Sequence, residues 1–310
     1  MFFEPVKRDI QKYDVVLIDE IQDYLQEWLD ILSNYFMHKE TEWVVFGDEK
    51  QDIYQRKLVI RNIPGSWNKS LQRSFRLSSR IYLIALEFQK KFFIKKYNLD
   101  FDDETLKNLR SVPQLLEFDY TKRIIEYYYF KTFSVIELFE AIYNVLQKNE
   151  IHSSDAGVIC SKVEILRGLD FLIRTKKNEK TATTFESQEE FDKIKREETN
   201  NLINNGIPES EVKFHTNRAM HERLEGLRKS QKNHFWMKTG TVKLSTVHSF
   251  KGWEIDTLFL FIENEENNNE FTNAELIYTG LTRAKRNLVI FNLGNIKYHD
   301  FFQLEITMNN

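Results

Sequence analysis

Cysteine is almost absent from this chain, since Cys160 is its only thiol. A single cysteine excludes an internal disulfide framework and zinc sites built on paired cysteines, and it suits a reducing cytosol. Long apolar runs are also missing: the longest, TLFLFI at 257–262, has the length of a strand, not the ~20 residues of a membrane span. The opening MFFEPVKRDI lacks the basic start, apolar stretch and cleavage site of a signal peptide. We therefore expect a cytoplasmic protein with no membrane partner.

The chain has no large excess of charge of either sign. Its net charge is -3 and its pI is about 6.2, whereas a protein that binds nucleic acid through phosphates usually shows a basic face. A local basic groove remains compatible with these totals. With 41% hydrophobic residues the 310-residue chain can bury a sizeable core, and its length predicts two domains.

Short apolar runs alternate with helical periodicity along the chain. This alternation predicts an α/β fold in which helices cross over parallel sheets. The predicted strands are YDVVLID (13–19), EWVVFG (42–47), QLLEF (114–118), AGVIC (156–160), TVKLST (241–246), DTLFLFI (256–262) and NLVIF (287–291). Helical spacing follows the first strand up to Phe36 and returns over 77–97. The charged stretch at about 186–238 predicts a small helical insertion between two strands of one sheet.

Two adjacent acids, Asp19 and Glu20, close the first apolar strand. Open α/β sheets bind ligands at the carboxyl ends of their strands, so both acids would lie at a ligand-binding rim. One carboxylate can hold Mg²⁺ and the other can orient or deprotonate an attacking water. The alternative is an ordinary helix start, where acids in the first turn complement the helix dipole.

A second polar cluster, GDEKQDIY at 47–54, follows the second predicted strand. Its Gln51 amide could hydrogen-bond a terminal phosphate or the attacking water. A Gly-Asp pair by itself is a common turn. The order of this cluster after DEIQD is what favours a phosphate site.

These two segments resemble motifs II and III, DExQD and GDxxQxIY, of the UvrD/Rep-like helicases of superfamily 1. Four more segments fit that family in order: LQRSFRLSSRI (71–81) resembles motif IV, AGVICSKVEILRGLDFLI (156–173) the strand and helix before motif V, VKLSTVHSFKGWEIDTLFLF (242–261) motif V, and LIYTGLTRAKRNLVIF (276–291) motif VI. The resemblance implies two RecA-like domains of the P-loop NTPase type that bind ATP and Mg²⁺ between them and move along single-stranded DNA.

The resemblance also implies catalytic roles for five side chains. Asp19 would coordinate Mg²⁺, Glu20 would activate water and Gln51 would sense the phosphate. Arg76 and Arg283 would spread positive charge over the phosphate oxygens in the transition state.

Further residues are implied in binding. On the nucleotide side, Phe75 would stack on the adenine, while Gly252 and Glu254 would approach the nucleotide, with Glu254 at the sugar hydroxyl. On the DNA side, Thr246 and His248 would face the strand or couple it to hydrolysis. Tyr54 is a weak candidate for a base contact.

The phosphate-binding loop GxxxxGK[ST] does not occur in these 310 residues. The family places that loop upstream of motif II, so three explanations stay open. The chain is a fragment or mis-started reading frame, which we favour, or one subunit of a split enzyme, or a degenerate relative that does not hydrolyse ATP. A second chain or an upstream segment would then supply the loop.

We expect residues 1–73 to form part of a first RecA-like domain, and 74–310 to form a second that carries the insertion. The expected activity is 3′ to 5′ movement on single-stranded DNA, driven by ATP hydrolysis. Two rivals are a DNA-binding or regulatory subunit that does not respond to ATP, and an ATPase switch with a nuclease partner, as in phage defence.

Overall fold

This computed structural model describes residues 10–54, 77–97, 123–264 and 274–308. Its strands form two parallel sheets. In the two-stranded sheet, β1 (Tyr13–Ile18) pairs in parallel with β2 (Met37–Val45). The connection contains a 3-10 turn (Ile21–Asp23), α1 (Gln26–Ile31) and a π-helical turn (Leu32–Phe36).

One face of this small sheet is covered and the other is exposed. Ile18, Ile21 and Leu29 form its small core. On the opposite face, the apolar side chains of Val15, Leu17 and Val44 are exposed, as are Tyr13 and Phe46 next to them. Parallel sheets are usually covered on both faces, so this arrangement is unusual for strands of such apolar sequence.

The larger sheet has six parallel strands in the order β3-β8-β7-β4-β6-β5. Its strands are β3 (Ile125–Tyr129), β4 (Ala156–Cys160), β5 (Thr181–Thr183), β6 (Val242–Thr246), β7 (Ile255–Glu263) and β8 (Ala284–Leu293). The central strands β4 and β7 are buried along nearly their whole length. Their continuous apolar runs are typical of parallel strands that helices cover on both faces.

Helices cover both faces of the six-stranded sheet. On one face pack α2 (Ser79–Phe92), α9 (Ala274–Leu281) and α10 (Ile296–Phe302). On the other pack α4 (Val135–Lys148) and α5 (Val163–Leu172). Four further segments are α3 (Ile94–Tyr97), α8 (Val247–Phe250) and the π-helical turns Ile173–Lys177 and Gln303–Met308. Each face of the sheet therefore has a hydrophobic core of its own.

A pair of charged helices lies between β5 and β6 in the chain. The first, α6 (Gln188–Asn204), starts with a capping box in which Ser187 and Glu190 satisfy each other's backbone amides. The second is α7 (Glu209–Asn233), and the two helices share a small apolar contact. The side chain of Glu186, just before α6, accepts two hydrogen bonds of 2.7 Å from Arg228 on α7. This ion pair fixes the return of α7 toward the sheet.

The predicted α/β fold with parallel sheets is confirmed, and β4 has the predicted bounds. Two strands, β3 and β5, were not predicted, because IEYYY and TAT lack a continuous apolar run. The helix predicted between β1 and β2 begins only at Gln26, after the 3-10 turn Ile21–Asp23, and its last part, Leu32–Phe36, is π-helical. β2 starts earlier than predicted because the polar residues 38–42 extend it back to the buried Met37, which pairs with Tyr13.

The predicted strand at 114–118 lies outside the described residues. The division into domains 1–73 and 74–310 stays a prediction. None of the helices in the described part of the chain combines the length and apolarity needed to cross a membrane.

Candidate active site at the ends of strands β1 and β2

The acid pair lies in a tight turn after β1. Glu20 has a left-handed backbone conformation (φ 51°), and its amide donates to Asp19 Oδ1 at 2.9 Å. A left-handed conformation is uncommon for a residue other than glycine and is found most often at turns and functional sites. Glu20 Oε2 accepts a hydrogen bond of 2.5 Å from the Gln22 amide. A hydrogen bond within the turn therefore fixes the Glu20 carboxylate, while Asp19 stays exposed.

The buried Gln22 joins this turn to the loop after β2. Its Oε1 accepts a hydrogen bond from the Asp48 amide at 3.2 Å. A Cβ on Gly47 would lie 2.5 Å from that same oxygen, so only glycine allows the two loops to approach so closely. Motifs II and III are thus one packed unit.

Gln51 links this unit to the six-stranded sheet. Its side chain is buried; Nε2 donates to Asp48 Oδ2 at 3.2 Å, and Oε1 accepts from the Arg283 guanidinium at 2.7 Å. Arg283 lies just before β8 and is 2% exposed; its guanidinium also donates to the Thr279 carbonyl and the Thr282 hydroxyl. The structure therefore brings together two predicted site residues that lie 232 positions apart.

Lys251 makes a second bridge between the two sheets. Its ammonium donates to both carboxylate oxygens of Asp23, at 2.7 and 2.8 Å, and to the Gln51 carbonyl at 3.1 Å. It also lies 3.5 Å from Glu20 Oε2, and its side chain is only 7% exposed. One positive charge thus faces two of the motif II carboxylates at once.

The predicted DNA-side residues Tyr54 and His248 lie together. Their ring centroids are 5.7 Å apart. Burial lowers the pKa of His248 from its ordinary value, and the positive charges of Lys232 and Lys251 lower it further, while a hydrogen bond that the ring donates to the Ile53 backbone raises it. The ring therefore takes up a proton at a lower pH than an ordinary histidine does.

The other predicted binding residues make local contacts or border open space. Thr246 caps α8, since its hydroxyl accepts from the Ser249 amide at 3.2 Å. Gly252 has φ +88°, and open space lies where a side chain would be. Glu254 forms an ion pair with Lys285 at 3.5 Å.

Phe75 and Arg76 lie outside the described residues. In the part of the chain that is described, no group of three or more histidine, cysteine or acidic side chains could by itself hold a metal ion.

Sequence reasoning missed four residues of this network: Gln22, Asp23, Asp48 and Lys251. All four stand inside the segments that carry the family resemblance. Their motif positions were therefore a signal, but the partner of each depends on how the two sheets meet.

Comparison with known protein families finds a match in the second half of the chain. Residues 241–291 match the family model of the UvrD-like helicase C-terminal domain. The match spans β6 to β8 and includes both Lys251 and Arg283. The predicted resemblance to UvrD-like helicases is therefore confirmed.

Among solved structures, the chain is similar to the C-terminal domain of a possible DNA helicase from Lactobacillus plantarum WCFS1. The two are 13% identical; the alignment covers 72% of this chain and 89% of that chain, with a TM-score of 0.38. A likeness at that score supports no conclusion about the site. No curated protein matches the chain.

Proposed function

We propose that this chain, with its UvrD-like helicase C-terminal domain, belongs to the core of an ATP-dependent DNA helicase or translocase that moves 3′ to 5′ on single-stranded DNA. The observation that carries the proposal is the hydrogen bond of 2.7 Å between Gln51 and Arg283. It joins a motif III side chain to a motif VI side chain across the two sheets. A phosphate-sensing amide and a charge-stabilising guanidinium need to meet in this way at a hydrolysis site.

In the proposed reaction, Asp19 would hold Mg²⁺ at the exposed end of β1. Magnesium in such sites is bound by one or two carboxylates, with phosphate oxygens and waters completing the shell, so a single exposed acid fits it. When bound, the ion neutralises charge on the phosphate oxygens. Glu20, held in orientation by Gln22, takes the proton of the attacking water.

Gln51 and Arg283 would respond to the terminal phosphate. In the structure they satisfy each other, with the Gln51 oxygen accepting from the guanidinium. Phosphate oxygens offer Arg283 stronger, charge-assisted acceptors than an amide. Nucleotide binding would therefore exchange this amide contact for a phosphate contact, and Arg283 would then stabilise the transition state.

A phosphate-binding loop would be supplied by another segment or a second chain. The exposed apolar face of the two-stranded sheet, formed by Tyr13, Val15, Leu17, Val44 and Phe46, supports this part of the proposal. Parallel strands with such a face need a cover, and a segment that adds strands and helices would provide one.

The test is Glu20→Gln, made in the protein purified from its native cells together with any bound polypeptide. Removing the proton acceptor should abolish DNA-stimulated ATP hydrolysis and leave nucleotide binding largely intact, since glutamine keeps the shape and the hydrogen bond to Gln22. Hydrolysis is measured by phosphate release and binding by a fluorescent ATP analogue. Glu27→Gln, at an exposed acid on α1, is the matched control.

Hydrolysis by the Glu20→Gln protein at close to the unsubstituted rate would refute the assigned role. If the unsubstituted protein binds DNA but neither binds nor hydrolyses ATP, it is a binding subunit and the motor proposal fails.

A further inference from the structure

A basic stretch runs through the end of α7 and on to the start of β7. Residues 226–253 contain six Lys or Arg residues and no Asp or Glu, in a chain whose net charge is -3. Three of the six, Lys229, Lys232 and Lys238, are exposed. In the described part of the chain no carboxylate lies within ion-pair distance of these three. Their positive charge therefore faces solvent uncompensated.

Two tryptophans lie within this basic stretch. Trp236 is 62% exposed, and its ring stands edge-on to that of Trp253, with the centroids 6.4 Å apart. Phe235, next to Trp236 in the chain, is buried, and its ring centroid lies 6.1 Å from that of Trp253 and 6.2 Å from that of Phe250. The buried Phe235 fixes the backbone from which Trp236 projects. The exposed Trp236 side chain thus projects from a backbone that is anchored by the buried Phe235.

The basic and aromatic groups adjoin the predicted DNA-side pair. The charge of Lys232, in the last turn of α7, is close enough to His248 to lower its pKa. His248 in turn contacts the half-exposed Tyr54. A surface therefore continues from Tyr54 and His248 to Lys232 and Trp236.

Single-stranded nucleic acid is the ligand whose chemistry fits this surface. Its phosphates pair with lysines, and its unpaired bases stack on exposed aromatic rings, whereas the bases of a duplex are already stacked on each other. An apolar protein partner would leave the three lysines desolvated and unpaired.

We propose that Trp236 stacks an unpaired base and that Lys232 and Lys238 bind the flanking phosphates, which makes the end of α7 and the segment after it a second contact on the strand. This inference rests on the proposed function, since it extends the DNA path of the same motor. It also assigns a role to the helical insertion: the last turn of α7 carries Lys232, and the segment that follows α7 carries Trp236 and Lys238.

The experiment measures binding of a fluorescein-labelled oligothymidylate to the full chain by anisotropy, over a series of salt concentrations. Trp236→Ala should weaken binding by about tenfold, the effect of losing one stacked base. It should leave the salt dependence unchanged, because no charge is lost. Trp236→Phe keeps an aromatic face and should restore most of the affinity.

Lys232→Gln should act differently. It removes one phosphate contact, so the slope of log affinity against log salt should become shallower by about 0.7. The matched controls lie at the far end of the same helix: Phe214→Ala, which removes a more exposed ring, and Lys213→Gln. These positions are ~27 Å from the end of α7 at the rise of an α-helix, and their substitution should leave binding unchanged.

Four results would overturn the inference. Binding of the Trp236→Ala protein with unchanged affinity would do so while leaving the proposed function intact. If Trp236→Ala weakened the binding of single-stranded and duplex DNA equally, stacking on an unpaired base would not be involved. If sedimentation showed that Trp236→Ala dissociates a dimer and leaves DNA affinity unchanged, the surface would bind a second copy of the chain. Absence of any oligothymidylate binding by the unsubstituted chain would overturn both this inference and the proposed DNA path.

Discussion

Replacing Lys251 by methionine tests the bridge between the two sheets. Methionine keeps much of the length of the side chain but removes the ammonium, which donates to Asp23 at 2.7 and 2.8 Å and to the Gln51 carbonyl at 3.1 Å. The Lys251 side chain is 7% exposed in the folded protein. The substitution therefore leaves Asp23 and Glu20 without the buried cation that they share.

The size of the effect follows from burial. Removing one partner of a fully buried ion pair costs about 3–5 kcal/mol, because the other charge is left uncompensated. The Asp23 side chain is 25% exposed, so water can partly solvate it after the substitution. We therefore expect a loss of about 2 kcal/mol in the free energy of unfolding, within the range for hydrogen bonds to charged groups.

A double-mutant cycle isolates the interaction. Lys251→Met, Asp23→Asn and the double substitution are compared by urea-induced unfolding, followed by tryptophan fluorescence. The two single losses should not add: in the double variant the second change should cost at least about 1 kcal/mol less than it does alone. Lys39→Met, at an exposed lysine on β2, is the control and should change stability by less than about 0.5 kcal/mol.

Additive losses within about 0.5 kcal/mol would refute the reasoning, since they would show that Lys251 and Asp23 do not stabilise each other in solution. An effect of Lys251→Met no larger than that of Lys39→Met would lead to the same conclusion.

Three more predictions concern other buried polar groups. Burial and the Glu263 carboxylate raise the pKa of the Cys160 thiol, so a thiol reagent at about pH 8 should react only after unfolding; immediate reaction of the folded protein would contradict this. Glu186→Gln removes the buried carboxylate that Arg228 and Arg167 share and should cost about 3–5 kcal/mol in urea unfolding, and a loss below about 1 kcal/mol would contradict the buried pairing. His248 has a lowered pKa in the folded state, so below the ordinary value of about 6.5 the unfolded chain binds the proton first and stability falls as pH falls; His248→Gln should flatten that part of the pH profile, and an unchanged profile would contradict the shift.

The buried strands were predictable because parallel strands covered on both faces read as continuous apolar runs. AGVIC and DTLFLFI are such runs, and they form the central strands β4 and β7. Edge positions were less predictable. The tyrosine-rich β3 and the three-residue β5 lie at the two edges of the sheet, where partial exposure removes the pattern.

The sequence by itself determined which polar residues flank the strands. Asp19 and Glu20 follow the first strand, Gln51 follows the second, and Arg283 precedes the last. Local patterns and motif spacing contain that information because each depends on neighbours along the chain. Only the tertiary structure decided which of these residues meet. Gln51 bonds to Arg283 and Asp23 to Lys251 across separations of 232 and 228 residues. Such contacts depend on strand order, strand register and the packing of one sheet against another, which no local pattern specifies.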